Sequence, residues 1–247
     1  MKNLTQFLQE NKSGYTEEYD LLTGENVPPF IKNSLEIKEI TSGAYFIYHD
    51  FPVREHLKRC YYLSISGEKI PLEDLENIIS GYNYQIMANV NLGERNFSDG
   101  RNFYGAMAGN IKFYENFESF KVVEINQNNI NLLDEIIKED EEFYSQIGTV
   151  IDIDDFKVCA LLCDNDAAAY VGFNPQSLRP TIYTAKKFRC KNLAYTLLSY
   201  CVKNYFSADT YITYGTEISN TASNFLAEKL GFDLIRTAYF YMNYKGV

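Results

Sequence analysis

The sequence predicts an α+β protein built around a mixed α/β sheet, and three observations lead there. Hydrophobic residues make up 46% of the 247 residues and aromatics 15%, with 21 tyrosines, 17 phenylalanines and no tryptophan. That balance supports a packed core and excludes disordered, collagen-like and fibrous chains. From Phe120 onward, β-branched and aromatic runs of strand length alternate with helical segments that carry recognisable start and stop residues. No internal repeat or low-complexity tract interrupts the chain. The length suits one large domain or two small ones. A boundary near Glu118 is expected, giving an N-terminal mixed α/β domain over 1–118 and a second domain over 119–247.

In the first part, Asn3 to Gln9 starts a short helix. Ser34 to Ile40 and Ala44 to Tyr48 read as strands flanking the turn Thr41-Ser42-Gly43. Tyr61 to Ile65 is a further strand, closed by Ser66-Gly67. Pro71 to Ile79 reads as a helix with proline in its first turn and Gly81 just past its end. Asn91 to Gly109 mixes glycine, asparagine and aromatics as a loop-rich region does. Within it, Gly105 to Gly109 reads as small-residue packing, because the strand–turn–helix context of a phosphate loop is missing.

The second part is clearer. Phe120 to Ile125 is a strand, and Asn128 or Asn129 caps a helix carrying Ile130, Leu132, Leu133, Ile136 and Ile137. The acidic positions Asp134, Glu135, Glu139, Asp140, Glu141 and Glu142 read as its solvated face. Lys157 to Cys163 and Ala167 to Phe173 form a hairpin around Asp164-Asn165-Asp166. Thr181 to Ala185 is a strand, followed by the basic segment Lys186 to Asn192 and a helix with Leu193, Leu197, Cys201 and Val202 on one face. Tyr211 to Thr216 is a strand. The next helix opens at Ser219 or Asn220 and closes at Gly231, and Leu234 to Tyr244 is a final aromatic strand.

Charge and composition narrow the function classes. With 23 basic against 33 acidic residues the net charge is −10. Phosphate contact requires clustered cations, so general binding to nucleic acid or to an anionic membrane is not expected. The N-terminus lacks the apolar run of a signal peptide and no stretch approaches the ~20 apolar residues of a membrane span, so a cytoplasmic protein is expected. Five scattered cysteines form no disulfide framework. The only histidines are His49 and His56; His56 and Cys60 share helical spacing, but two ligands make no zinc site, and no metal is expected. The same scarcity argues against a Cys-His or Ser-His nucleophile.

The chemistry is concentrated in Tyr183 to Leu198. Lys186, Lys187, Arg189 and Lys191 fall within six residues of a strongly acidic chain, where a helix begins. Free N–H groups and the helix dipole add to that positive potential, so the turn can cradle a pyrophosphate. Asn192 tolerates left-handed backbone there, and Ala194 lets a ligand approach closely. The plainer alternative is a solvated basic turn that only starts a helix.

Phe188-Arg189-Cys190-Lys191-Asn192-Leu193-Ala194 resembles the (Gln/Arg)-x-x-Gly-x-(Gly/Ala) acyl-CoA motif of the GCN5-related N-acetyltransferase superfamily. Asn220, eleven residues before the pair Gly231-Phe232, resembles that superfamily's second signature, and the element order over 119–247 is similar too. With its long first part, the chain resembles the two-part group that contains the zwittermicin A resistance protein. The resemblance implies a GNAT-like acyl-CoA fold over 119–247 and acetyl-CoA as co-substrate. Arg189, Cys190, Lys191, Asn192, Leu193 and Ala194 would hold the pyrophosphate, largely through backbone N–H groups. Tyr183, Thr184 and Ala185 would pair with the pantetheine arm as an added strand would, with Asn220 and Ser223 near the same arm. It further implies direct attack of an amine on the thioester, with a base taking the proton and a strand amide stabilising the developing oxyanion.

Two positions depart from the family pattern: the motif's first glycine is Asn192, and the frequent tyrosine four residues before Gly231 is Ala227. Glu217, next to the strand end and ahead of Asn220, is the candidate base; Asp152, Asp154 and Asp155 are candidates for the acceptor side. For each of these a solvated loop carboxylate is the competing reading. Tyr239 and Tyr241 read as sheet packing. The expected activity is acyl transfer to an amine of a small molecule, a cationic one suiting the negative field. The alternatives are a non-catalytic acyl-CoA sensor and a protein lysine acetyltransferase.

Overall fold

The structure is a computed structural model, and it describes residues 2–12, 14–24, 27–50, 57–113, 120–139, 156–173 and 180–243. His56, Glu118, Asp140 to Glu142, Asp152, Asp154, Asp155 and Tyr244 lie outside the described residues. The chain divides into two compact units. The first comprises Met1–Phe103, Thr216–Asn220 and Leu234–Val247, the second Tyr104–Gly215 and Thr221–Asp233.

The first unit opens with α1 (Lys2–Glu10), α2 (Thr16–Thr23) and α3 (Pro29–Ser34), followed by β1 (Glu36–Thr41), β2 (Ala44–Asp50) and β3 (Leu57–Ser64). Then come α4 (Leu72–Ile78), β4 (Asn83–Ala88) and the start of β5 (Phe97–Met107), and β11 (Asp233–Met242) closes it. Neighbouring strands follow the order β1-β2-β3-β4-β11, with β5 beside β11. All described pairs here are antiparallel except β3 with β4, which are parallel and joined through α4. Strand alternation sends β2 to both faces. Tyr45 and Ile47 pack with Leu4 and Leu8 of α1, whereas Phe46 and Tyr48 pack with Leu72 and Leu75 of α4. A sheet covered on both faces explains why β2 is buried at six consecutive positions.

Helix α4 begins at Leu72, with Pro71 as its N-cap residue. The largest correction concerns Asn91 to Gly109, which reads in sequence as a loop-rich region. Phe97–Met107 is an eleven-residue strand whose burial shows no period of two, exposed at its start and buried on both sides toward its end, so it carries no strand pattern in sequence.

The second unit contains the end of β5, β6 (Lys121–Ile125), α5 (Asp134–Glu139), β7 (Lys157–Cys163), β8 (Asp166–Phe173), β9 (Thr181–Thr184), α6 (Leu193–Tyr205), the body of β10 (Tyr211–Glu217) and α7 (Thr221–Leu230). Strands β6-β7-β8-β9 form one antiparallel sheet. The β7–β8 hairpin turns on Asp164 and Asn165, both left-handed at φ 58 and 107, which accounts for the Asp/Asn signal. One face of this sheet packs Cys159, Leu161, Val171 and Phe173 against Leu193, Leu197, Cys201 and Val202 of α6. The other packs Val158, Ala160, Leu162 and Tyr170 against Leu133 and Ile136. Burying a side chain of this size contributes about 1.5–3 kcal/mol, so the four apolar residues of α6 are what commit it to this face.

Two local expectations are corrected. No α-helix starts at Ile130: Ile130–Leu133 is a 3-10 turn, and α5 begins at Asp134. Asn129 does not cap it. Its Oδ1 accepts from the Asn126 N–H at 2.7 Å and its Nδ2 donates to the Glu124 carbonyl at 3.0 Å, so the side chain closes the preceding turn instead. Helix α7 starts at Thr221 and ends in paired bonds, Phe232 N–H to the Ala227 carbonyl and Gly231 N–H to the Glu228 carbonyl, with Gly231 at φ 90. That is a Schellman closure, which requires the left-handed residue that glycine supplies. Among the described residues no helix is long and apolar enough to cross a membrane.

Candidate functional site

The site is built where the chain leaves β9, the edge strand of its sheet. The Ala185 N–H donates to the Ala168 carbonyl of β8 at 3.0 Å. By antiparallel alternation, the backbone groups of Thr184 then point away from β8, along the open edge. Lys186–Phe188 forms a single 3-10 turn, and the chain reverses through Cys190 at φ 61 and Asn192 at φ 61, ψ 15. Left-handed backbone costs most L-residues roughly 1–2 kcal/mol but is tolerated by asparagine, so with one residue between the two positions the strain of this turn falls mainly on Cys190.

Asn192 is the N-cap residue of α6, yet its side chain makes no capping bond and no acidic residue occupies the first turn. Helix geometry leaves the first-turn N–H groups, those of Leu193 and Ala194 included, without an intrahelical acceptor. Their dipoles align with the cations around the turn, so the arrangement favours an anion.

The cations are not equivalent. Lys187 is paired with Asp166 at 2.6 Å, and that contact raises its pKa. Lys187 and Lys191 both lie over the Phe188 ring, at 4.9 and 5.4 Å. Arg189 folds back on β9: its Nε donates to the Thr184 carbonyl at 3.1 Å, its second amino group to the Tyr183 hydroxyl at 3.3 Å, and its guanidinium covers the Tyr183 ring. The side chain thus occupies one of the open-edge carbonyls to which an added strand would bond. Glu139 departs from the solvated face expected of it, because its carboxylate accepts from the Lys186 N–H at 2.8 Å and its carbonyl from the Tyr183 hydroxyl at 3.1 Å.

Sequence reasoning missed Lys229. It lies in the last turn of α7, where a lysine ordinarily complements the helix dipole, and its only other sequence signal is the nearby Gly231. In the structure its Nζ donates to Asn192 Oδ1 at 2.8 Å and sits 4.9 Å from the centre of the Tyr195 ring. It is therefore a fifth cation at the turn. Tyr183, Thr184, Ala185 and Arg189 to Ala194 are all brought together in the second unit with Lys229.

Ser223 lies in the same unit, on α7, with its Oγ 2.6 Å from the hydroxyl of Tyr214, a tyrosine whose pKa burial pushes up. The neighbouring Asn224 accepts from the Tyr104 hydroxyl at 2.8 Å. Ala227 buries its methyl in the core, 1% exposed. Glu217 and Asn220 belong to the first unit. Glu217 is the last residue of β10 rather than the residue after it, is exposed, and accepts from the Ser219 hydroxyl at 3.5 Å; the Asn220 N–H donates to the Glu217 carbonyl at 3.1 Å.

No protein-family model and no curated protein matches this chain. Solved structures do. An acetyltransferase of the GNAT family from Colwellia psychrerythraea aligns over 94% of this chain and 97% of its own, at 11% identity and a TM-score of 0.53. A conserved protein of unknown function from Staphylococcus epidermidis aligns over 84% and 94%, at 12% identity and a TM-score of 0.54. A Drosophila protein aligns over 95% and 88%, at 11% identity and a TM-score of 0.51. The chain therefore has a mixed α/β fold similar to that of a GNAT-family acetyltransferase.

Proposed function

We propose that this protein is an acyl-CoA-dependent N-acyltransferase that moves an acetyl group from acetyl-CoA to an amine of a small molecule. The single observation that carries the reading is the uncapped start of α6, left-handed at Asn192, preceded in the same turn by Lys186, Arg189 and Lys191 and contacted by Lys229, in a chain of net charge −10. Such a turn suits a pyrophosphate, and the similarity of fold to a GNAT-family acetyltransferase agrees with it. Residues 119–247 are proposed as the acyl-CoA-binding part and residues 1–118 as an accessory, acceptor-side part. The two-part group containing the zwittermicin A resistance protein is the proposed affiliation.

In this reading acetyl-CoA supplies an activated thioester. Leu193 and Ala194 offer backbone N–H groups to the pyrophosphate, and Arg189 and Lys191 add charge. The open edge of β9 at Thr184 takes the pantetheine arm once Arg189 releases its carbonyl. Asn220 and Ser223 are proposed near the same arm. The amine nitrogen forms the new C–N bond as the C–S bond breaks, and its proton goes to a base, for which Glu217 is the candidate. The departing thiolate belongs to a thiol of ordinary acidity, near pKa ~8.5, so it can leave without a dedicated acid.

The buried methyl of Ala227 favours a second reading, because no hydroxyl is present at that position to protonate the leaving group. In that reading the protein binds or senses acyl-CoA without turning it over. The test is free-thiol release from acetyl-CoA across matched cationic, neutral and acidic amines, alongside calorimetric coenzyme A binding. Binding with turnover on an amine supports the transferase; binding with no turnover supports the sensor. Absence of binding overturns both.

A further inference from the structure

We propose that Lys229 is the positioning residue of the phosphate turn: its ammonium holds Asn192 in its left-handed form, away from the extended conformation in which its side chain would cap α6, and so keeps the first-turn N–H groups open to an anion. This rests on the coenzyme A reading above and assigns a latch to that site.

Asparagine is among the strongest N-cap residues. When it caps, it adopts extended backbone and its side-chain oxygen accepts from the second or third N–H of the helix. Asn192 holds the N-cap position of α6 but does neither. Its backbone is left-handed, and its Oδ1 accepts from Lys229 instead. Lys229 is steadied from a second side by the Tyr195 ring. The Asn192 carbonyl is fixed in turn by both the N–H and the hydroxyl of Thr196, at 2.9 and 3.0 Å.

The consequence is competitive. A self-capping Asn192 would take the second or third N–H of the helix, that of Ala194 or Tyr195, and so compete with phosphate oxygens for donors of the first turn. Glycine at this position has no side chain with which to cap, so it requires no latch. Asparagine requires one, and Lys229 on α7 provides it from 37 residues away in sequence.

The experiment is a double-variant cycle with coenzyme A as the probe. Titration calorimetry is run on the parent, Lys229→Met, Lys229→Arg, Asn192→Gly and the Lys229→Met/Asn192→Gly pair. Lys229→Met is expected to weaken coenzyme A at least about fivefold, the factor a typical N-cap is worth. On the Asn192→Gly background the same change should leave only a loss that high salt removes. Lys229→Arg should restore binding. A ligand-free readout separates this inference from the functional reading. Hydrogen exchange of the first-turn amides of α6 should slow in Lys229→Met, as the side chain begins to cap, and should not slow in the double variant. Unchanged exchange, or an equal fold loss of affinity on both backgrounds at high salt, overturns the latch. Slowed exchange in Lys229→Met together with a parent that binds no coenzyme A overturns the functional reading and leaves the latch standing.

Discussion

Replacing Asn192 by valine tests whether the turn must be left-handed. Asn192 sits at φ 61, ψ 15, where a β-branched side chain is most strongly opposed by its own backbone. Holding valine there costs roughly 1–2 kcal/mol. The substitution also removes the acceptor of Lys229, an exposed contact worth about 0.5–1.5 kcal/mol. If the turn keeps its shape, the loss is about 1.5–3.5 kcal/mol, which at ~2–4 °C per kcal/mol lowers Tm by roughly 3–14 °C. If instead residue 192 relaxes to extended backbone, stability is largely kept but the N–H groups of Leu193 and Ala194 are re-aimed. Each hydrogen bond to a charged group is worth about 1.5–3 kcal/mol, so coenzyme A affinity then falls roughly tenfold or more. Scanning calorimetry and coenzyme A titration on the same preparation read both branches. A variant with parental Tm and parental coenzyme A affinity refutes the reasoning, because neither strain nor altered aim would have been felt.

Coenzyme A affinity should fall as ionic strength rises, while that of a phosphate-free pantetheine analogue should hold, since the cations around the turn act on phosphate alone; titrations at low and high salt check this. Gly109→Val should destabilise the protein by about 1–3 kcal/mol in urea unfolding, because even a Cβ there would meet the Ala208 carbonyl at 3.0 Å and the Ala208 methyl at 3.1 Å. The Lys157 ammonium, 2.8 Å away, holds the Glu124 carboxyl below its usual range, with help from the Tyr205 hydroxyl. A depressed folded pKa stabilises above the unfolded value near ~4.3 and loses that contribution as pH falls through the folded value. Glu124→Gln should therefore be less stable at pH 7, by about 0.2–1 kcal/mol for so exposed a pair, and should converge with the parent in acid; urea unfolding across pH 7 to 3 reads it.

What was legible in the sequence was local. The Asp164-Asn165 turn, the apolar face of α6, the glycine closing α7 and the left-handed Asn192 each follow from the conformational preferences of a few adjacent residues. What was not legible depended on partners far along the chain. Strand β5 lacks alternation because its burial changes along its length, and β4 finds parallel and antiparallel neighbours that nothing in its six residues announces. Asn129 faces backward because the Glu124 carbonyl lies within reach, and Glu139 is taken by a backbone N–H 47 residues on.

The sequence by itself determined that a cationic turn begins a buried helix in an acidic chain, because charge, helix start and apolar period are all read within one short segment. Only the tertiary structure decided what that turn presents. It folded Arg189 over the Thr184 carbonyl, paired Lys187 with Asp166 and brought Lys229 to Asn192. The physical reason is that a hydrogen bond's partner is set by distance in space, and packing α7 beside α6 fixes a distance that no spacing along the chain encodes.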